Sequence, residues 1–235
     1  MKSFEDLLNS YIIDEKIFNN YNGNLDKITN YIQNDFYIGN QMLYNLCREH
    51  FEHKNRQDIT AKIWLIGRSY AASVERRKKY KNYKFLKFWD ILLEDFEKFA
   101  LKIDNNLKII KDVELSNENI RIVLNTHKCL VECFNESTNL NKRSLASKYL
   151  HFHCPKLFFI YDSRARTAIN HFVKKISKIN LLDFTEFDEE YFDFYIRCLK
   201  LKYHIDTTYK KYSPRQIDMF LLHYDEDKQT PYSIK

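Results

Sequence analysis

The chain has 235 residues, and 38 Lys and Arg against 32 Asp and Glu give it a formal net charge of +6. Its three Gly and three Pro are too few for a long flexible linker or a turn-rich β architecture. No apolar run is long enough to span a bilayer, and the first residues, MKSFEDLLNSYIIDEK, are too acidic for a signal sequence. We therefore expect a cytoplasmic protein.

Apolar residues recur at three- and four-residue spacing along most of the chain, which predicts helices from end to end. In the first half we expect two helices within residues 3–33, separated by a turn at 21–24, and further helices over 38–53 and from about 58–60. Polar breaks at 104–106 and 116–119 are expected to interrupt the helices of residues 85–134.

In the second half we expect helices from Ser144, over 164–176 and 187–202, and from Ser213, where Ser caps the helix and Pro214 takes its first position. The pattern predicts an all-α fold in a single compact domain over residues 1–235. Such a domain could have two lobes, with a cleft between the early and the late helices.

Residues 63–73, IWLIGRSYAAS, form the one Gly- and Ala-rich helical passage, which favours close packing by another helix or by a ligand. Arg68 and Tyr70 in this passage are candidate DNA contacts. The basic run ERRKKYKNYK at 75–84 is either a solvated helix end or a phosphate-backbone contact, to which Arg76 and Arg77 would contribute. The positive net charge makes a polyanion partner plausible.

The five cysteines include no CxxC pair. Cys154 lies beside His151 and His153, but zinc sites usually have tighter and repeated ligand spacing. We therefore expect reduced, buried thiols, no metal and no cofactor.

The stretch SLASKYLHFHCPKLFFIYDSRARTAI, residues 144–169, carries the strongest chemical signal. Pro155 is expected to end its first helix, residues 157–161 to run extended, and Asp162 to begin the next helix. A carboxylate at this position caps exposed helix amides, which is one interpretation of Asp162.

A second interpretation comes from the cations nearby in sequence. Lys148, Arg164 and Arg166 would hold the Asp162 carboxylate ionised, together with the helix dipole. Such a carboxylate can stabilise a cation that develops in a substrate, or orient a water for attack.

The pattern Ser-Lys-x-Leu-His-x-x-x-Pro-x-x-Phe-x-Ile-Tyr-Asp-Ser at 147–163 resembles the signature of a group of bacterial helical proteins. More distantly, residues 144–169 resemble the helix–hairpin–helix DNA glycosylase superfamily. The resemblance implies that Asp162 stabilises the oxocarbenium-like sugar as the base departs. The Gly-rich hairpin of that superfamily is missing, since residues 140–144 contain no Gly. Lys142 and Arg143 would then have to bind phosphate through their side chains.

The same resemblance implies a catalytic Lys in bifunctional members, and both Lys142 and Lys148 are candidates. Without such a Lys, the expected enzyme is a monofunctional N-glycosylase that leaves an abasic site. It would act as a monomer on duplex DNA and flip out a damaged or modified base, including bases modified by phage, which would suit an antiviral role.

Within that mechanism, Tyr70 or Tyr161 would receive the flipped base, while His151 and His153 could assist the leaving base or serve as structural hydrogen-bonding groups. The candidate catalytic residues are Asp162, Lys148 and Lys142. The candidate DNA- or substrate-binding residues are Arg143, His151, Tyr161, Arg164, Arg166, Arg68, Tyr70, Arg76 and Arg77.

Two other classes of function remain open on the sequence. The first is a non-catalytic helical module that binds nucleic acid, with Asp162 as a cap only, and the second is a protein-interaction scaffold. Near the carboxyl terminus, Arg215 and Asp218 are spaced for a local salt bridge rather than for catalysis.

Overall fold

The computed structural model describes residues 4–30, 36–76, 85–176 and 185–229. They form an all-α fold with one small two-stranded sheet, which confirms the predicted fold class. The helices and strands are α1 (Phe4–Asn9), β1 (Tyr11–Ile13), α2 (Glu15–Tyr21), a 3₁₀ turn (Asn22–Asn24), α3 (Leu25–Asn30), α4 (Phe36–Glu49), α5 (Arg56–Ser69), α6 (Phe85–Ile110), α7 (Ile120–Thr138), α8 (Arg143–His153), α9 (Ser163–Phe172), β2 (Val173–Lys175), α10 (Glu189–Thr208) and α11 (Pro214–Gln229).

The chain divides into two compact units. We call residues 35–158 the central unit, and residues 1–34 together with 159–235 the terminal unit. The boundary runs through the 144–169 stretch, so that α8 belongs to the central unit and α9 to the terminal unit. The single domain predicted over residues 1–235 stays a prediction.

In the central unit, α8 is the innermost helix and packs against α4, α5 and α7. Every side chain from Leu145 to Cys154 is buried, including those of Lys148 and His151. The long helices α6 and α7 pack along each other through apolar stripes of side chains such as Phe96 and Phe134. A helix that is enclosed in this way must satisfy its polar side chains inside the protein.

In the terminal unit, α9 packs between α10 and α11 and also contacts α2. Aromatic rings form much of this core, and Phe172 lies 5.0 Å from Phe220 and 4.5 Å from Tyr224, between ring centroids. The strands β1 and β2 pair antiparallel, with Tyr11 opposite Lys175, and so connect the two chain segments of the unit.

Several predicted boundaries are confirmed. The 3₁₀ turn lies at the predicted break at 21–24, α7 follows the break at 116–119, and α8 ends at His153, before Pro155. At α11, Pro214 is the first residue, and the Ser213 Oγ accepts the Gln216 N–H at 3.3 Å. The predicted Arg215–Asp218 salt bridge is present at 2.6 Å.

Other boundaries were predicted wrongly. Helix α6 continues through 104–106, because Ile103 and Leu107 are buried and the Asp104 carboxylate bonds to His53 rather than to its own helix. Helix α5 begins at Arg56 behind the cap Asn55, not near residue 58. Helix α9 ends at Phe172 instead of continuing to residue 176, and β1 interrupts the first predicted helix. Both differences arise because β1 and β2 pair with each other.

All five cysteines are buried free thiols. None of the helices in the parts of the chain that the structure describes is long and apolar enough to cross a membrane.

Candidate functional site

Asp162 is the N-cap of α9, as predicted. Its backbone is extended (φ −149°, ψ 175°), and its Oδ1 accepts the Ala165 N–H at 2.9 Å. Asp162 is only partly buried, and its carboxylate is held at the start of the helix. A fixed carboxylate of this kind can both cap a helix and face a substrate.

Tyr161, Glu190 and Arg166 form a polar cluster beside Asp162 in the chain. The Tyr161 hydroxyl donates to Glu190 Oε2 at 2.9 Å and lies 3.4 Å from Arg166 Nη1. Arg166 also pairs with Glu190 at 3.5 Å. Burial and the neighbouring Glu190 raise the pKa of Tyr161, so this phenol remains a hydrogen-bond donor at neutral pH.

Arg164 joins α9 to α11. Its guanidinium donates to Asp225 at 2.8 Å, to Glu226 at 3.0 Å and to the Leu222 carbonyl at 3.2 Å. These carboxylates raise the pKa of Arg164. The side chain that was predicted to contact DNA is thus bound within its own unit, and a DNA contact by Arg164 stays a prediction.

Lys148 is buried in the central unit, with 4% of its surface exposed. Its Nζ donates to Ser144 Oγ at 2.9 Å and to the Tyr70 carbonyl at 3.4 Å, and it lies 5.8 Å from the centre of the Tyr70 ring. The Tyr70 hydroxyl donates to Asn40 Oδ1 at 2.6 Å. The structure therefore brings two predicted site residues, Lys148 and Tyr70, into contact.

Lys142 differs from Lys148 in its surroundings, because it is less buried and its Nζ donates to the Arg76 carbonyl. The Arg143 carbonyl lies 3.4 Å from His127 Nε2. Arg68 is exposed and pairs with Glu75 at 3.4 Å. Arg77 and the rest of the basic run, residues 77–84, lie outside the described residues.

His151 is fully buried. Its Nδ1 lies 2.8 Å from the Phe158 carbonyl and its Nε2 lies 2.7 Å from the Tyr44 hydroxyl. A carbonyl oxygen only accepts, so Nδ1 must carry the proton, and the Tyr44 hydroxyl is the partner of Nε2. These bonds favour the structural role for His151, and a substrate contact stays a prediction.

A second polar network, which the sequence did not reveal, lies deeper in the central unit. His53 Nδ1 is 2.5 Å from Asp104 Oδ1, and the His53 backbone N–H donates to Asp104 Oδ2 at 3.0 Å. On the other side of the ring, Nε2 accepts from the Tyr149 hydroxyl at 2.6 Å. The result is a carboxylate–imidazole–phenol relay whose central ring is buried.

Lys62 extends this network towards the end of α4. It is completely buried, and its Nζ donates to the carbonyls of His50 at 2.7 Å and Glu52 at 3.4 Å. The same Nζ lies 3.4 Å from His153 Nε2, while His153 Nδ1 is 2.8 Å from the Tyr149 carbonyl. His153 therefore donates through Nδ1 and accepts from the ammonium through Nε2.

Burial controls the protonation of this network. Loss of solvation lowers the pKa of His53 and holds that of His153 well below its ordinary value, and the Lys62 charge lowers both further. Burial likewise lowers the pKa of Lys62 to about 8. The pKa of Asp104 is lowered, since the hydrogen bonds from His53 outweigh the effect of its burial.

Sequence reasoning missed this network because its members are far apart in the chain. His53 and Tyr149 are 96 residues apart, and Asp104 was interpreted as a helix break. One local signal was present: Lys62 lies among Ile59, Ile63 and Ile66 on an apolar helix stripe, where a charged side chain must find buried partners.

The candidate residues thus fall into two sets. Tyr161, Asp162, Arg164 and Arg166 belong to the terminal unit, and the other described candidates belong to the central unit. Across the described ranges, no group of three or more His, Cys, Asp or Glu side chains is arranged to hold a metal ion. This statement covers His151, His153 and Cys154, which are close in sequence.

No protein-family model, no curated protein and no solved structure matches this chain. The functional interpretation of these sites therefore depends on the residues themselves and on their geometry.

Proposed function

We propose that the protein is a DNA N-glycosylase that excises a damaged or modified base, with Asp162 as its catalytic carboxylate. The observation that carries the proposal is the position of this carboxylate, held at the head of α9 by the Ala165 amide in a residue that is only partly buried. Cleavage of an N-glycosidic bond leaves positive charge on the sugar, and a fixed carboxylate lowers the energy of that state.

In the proposed reaction the electron pair of the N-glycosidic bond goes to the departing base. A water then adds to the sugar carbon and loses a proton, and the product is an abasic site. Asp162 would stabilise the cationic sugar and orient this water. Its bond to Ala165 supports the proposal because a carboxylate that is already oriented does not have to reorganise during the reaction.

Arg166 is the DNA contact that we propose in the terminal unit. Its pair with Glu190 is solvent-exposed on both sides, with side-chain exposures of 53% and 50%. Such ion pairs contribute little to stability, so a DNA phosphate could replace the Glu190 carboxylate at a small energetic cost.

The surroundings of the two candidate lysines bear on whether the proposed enzyme is bifunctional or monofunctional. A bifunctional enzyme would need a lysine amine that attacks the sugar, but Lys148 is buried with its Nζ donating to Ser144 Oγ, and Lys142 Nζ donates to the Arg76 carbonyl. We propose the monofunctional form, in which water is the nucleophile. Borohydride should then trap no covalent adduct between protein and DNA.

A specific observation favours a non-catalytic role for Asp162, as in the competing nucleic-acid-binding module. Asp14 and Asp188 cap α2 and α10 in the same way as Asp162 caps α9. In each case the Asp side chain accepts the backbone N–H of the residue three positions later. The cap bond alone therefore accounts for an Asp at position 162 without any chemistry.

The experiment that separates the two functions incubates the protein with DNA duplexes that contain oxidised, alkylated, deaminated or bulky phage-type bases. Free base is measured by mass spectrometry, and DNA binding is measured at several salt concentrations. Base release by the wild type supports the glycosylase. Salt-sensitive binding without release of any base would support the binding module instead.

A further inference from the structure

An open groove of about 410 Å³ follows helix α5 in the central unit. Its lining residues recur at the three- and four-residue spacing of a single helix face and are Arg56, Gln57, Thr60, Ala61 and Trp64. The buried side chains of α5, such as Ile59, Ile63 and Ile66, occupy another side of the helix. The groove therefore lies on the side of α5 that is turned away from the core of its unit.

The groove offers mainly apolar surface. Trp64 supplies its largest side chain and has 45% of its surface exposed. The Thr60 hydroxyl donates to the Arg56 carbonyl at 2.7 Å, so it is bonded within the helix. Ala61 adds only a methyl group, which lets a partner approach the backbone of α5 closely. Tryptophan is enriched among the residues that contribute most to protein–protein binding, so this surface suits the apolar side of a protein segment.

Helix α6 places three carboxylates at the edge of the groove. Asp90, Glu94 and Glu97 are exposed and share one face of α6 through their four- and three-residue spacing, and we call them the acidic stripe. Glu97 accepts two bonds from the Arg56 guanidinium, at 2.8 and 2.9 Å. These bonds raise the pKa of Arg56, and the charges of Glu94 and Asp90 raise it further, so the whole stripe acts on a residue of the groove.

The acidic stripe leaves this edge of the groove negative, because Arg56 is one cation against three carboxylates. Two other cations on the same helices, Arg68 and Lys98, have carboxylate partners of their own at 3.4 and 2.7 Å. A nucleobase could stack on Trp64, but the phosphates that accompany it would be repelled by the stripe. A segment that carries Lys or Arg would be attracted by the same charges.

The shape of the groove favours a helix as this segment. Its lining runs along α5 from Arg56 to Trp64, about two helical turns, and has the small residue Ala61 in its middle. An amphipathic helix laid along it would cover Trp64 with apolar side chains, as helices do when they bind in grooves. The pair between Arg56 and Glu97 is exposed on both sides, by 46% and 48%, so Glu97 could exchange its partner at a small energetic cost.

We propose that the groove of α5 is a docking site for an amphipathic helix of a partner protein, whose apolar residues cover Trp64 and whose Lys or Arg residues pair with the acidic stripe. The proposal is independent of Asp162 and of the glycosylase function.

The test titrates the full-length protein into three fluorescently labelled probes and follows their anisotropy. The first probe is a short amphipathic peptide of Leu and Lys, the second has Glu in place of every Lys, and the third is a single-stranded oligothymidylate. We expect saturable binding of the Leu–Lys peptide, and binding of the other two that is weaker by about tenfold or more.

Trp64→Ala should weaken binding of the Leu–Lys peptide by about tenfold, because it removes the largest apolar contact of the groove. Leu101→Ala is the matched control, an apolar side chain of α6 with 73% of its surface exposed that does not line the groove. It should leave the affinity unchanged. Far-UV circular dichroism of each variant checks that the helices are retained.

The acidic stripe has a separate test. Asp90→Asn combined with Glu94→Gln should weaken binding of the Leu–Lys peptide by about fivefold and make it less sensitive to salt. Glu132→Gln combined with Glu136→Gln is the matched control, since these two acids are also exposed and four residues apart on one helix, α7.

Three results would overturn the proposal. The first is no binding of the Leu–Lys peptide, or equal binding of the Leu–Glu peptide. The second is full affinity for the Leu–Lys peptide in both Trp64→Ala and the stripe variant. The third is tighter binding of the oligothymidylate that Trp64→Ala abolishes, which would assign the groove to single-stranded nucleic acid instead.

Discussion

His53 is bound to Asp104 twice. Its buried ring lies with Nδ1 2.5 Å from Asp104 Oδ1, and its backbone N–H donates to Asp104 Oδ2 at 3.0 Å. One carboxylate thus fixes both the position of the loop that carries His53 and the tautomer of its ring. The Tyr149 hydroxyl donates to the remaining nitrogen, so the relay has no spare hydrogen-bonding group on the imidazole.

We expect Asp104→Ala to lower the free energy of unfolding of the central unit by about 2–3 kcal/mol, because it leaves two buried donors of His53 without an acceptor. Both tryptophans, Trp64 and Trp89, lie in this unit, so Trp fluorescence during urea unfolding reports on it selectively. Asp90→Ala is the control, an exposed Asp on the same helix whose loss should change stability by no more than about 0.5 kcal/mol. Equal effects of the two changes would contradict the role of Asp104.

Acid should destabilise the central unit. The pKa values of His53 and His153 are lowered in the fold, so below about pH 6.5 the unfolded chain binds more protons than the folded one. Stability should therefore fall as the pH drops through 6.5, by up to about 1.4 kcal/mol per pH unit for each of the two histidines. Urea unfolding followed by Trp fluorescence between pH 7.5 and 5.5 measures this slope.

A substitution at His153 tests whether the buried histidines cause the dependence of stability on pH. Gln at position 153 can donate to the Tyr149 carbonyl and accept from Lys62 without titrating. His153→Gln should reduce the pH slope by about one proton. A slope that does not differ between wild type and His153→Gln would show that His153 does not cause it.

Two helical glycines of the central unit should respond differently to alanine. Gly39 is exposed within α4 and has open space around its Cα, so Gly39→Ala should stabilise the unit by about 0.5–1 kcal/mol through helix propensity alone. A Cβ at Gly67 would lie 3.3 Å from Ser73 Cα and 3.6 Å from Leu145 Cδ1. In the same urea experiment, Gly67→Ala should therefore raise the free energy of unfolding by less than Gly39→Ala does. A larger increase for Gly67→Ala than for Gly39→Ala would contradict the tight packing at α5.

Arg164 and Arg166 should have separable roles. Arg164→Gln removes the bonds that join α9 to α11, so we expect faster hydrogen exchange of the α11 amides and little change in the salt dependence of DNA binding. Arg166→Gln should weaken DNA binding and reduce the slope of log K against log salt by about 1, since one phosphate contact is lost. The reverse assignment of these two effects would contradict the proposed DNA contact.

The local pattern of the chain was sufficient to predict the helical fold and several helix ends. Pro155 and Pro214 have fixed local effects, and Asp162 caps α9 as its position after an extended segment predicts. These features depend on residues within one or two helical turns.

Contacts between distant residues were not predictable in the same way. Asp104 has the appearance of a helix breaker until its partner His53, 51 residues away, is known, and Val173 continues an apparent helix until β1 is placed beside it. Pairing of this kind is decided by the tertiary fold, which overrides local propensity.

The most direct test of the central proposal is the rate of base release by Asp162→Asn. Asn is as good an N-cap as Asp, so this variant keeps the fold while it loses the carboxylate charge. Asp188→Asn makes the same change at the equivalent cap of α10 and serves as the control. We expect single-turnover base release to fall by about two orders of magnitude or more in Asp162→Asn alone, with DNA binding retained. Base release at the wild-type rate in Asp162→Asn would contradict a catalytic role for this residue and leave it as the cap of α9.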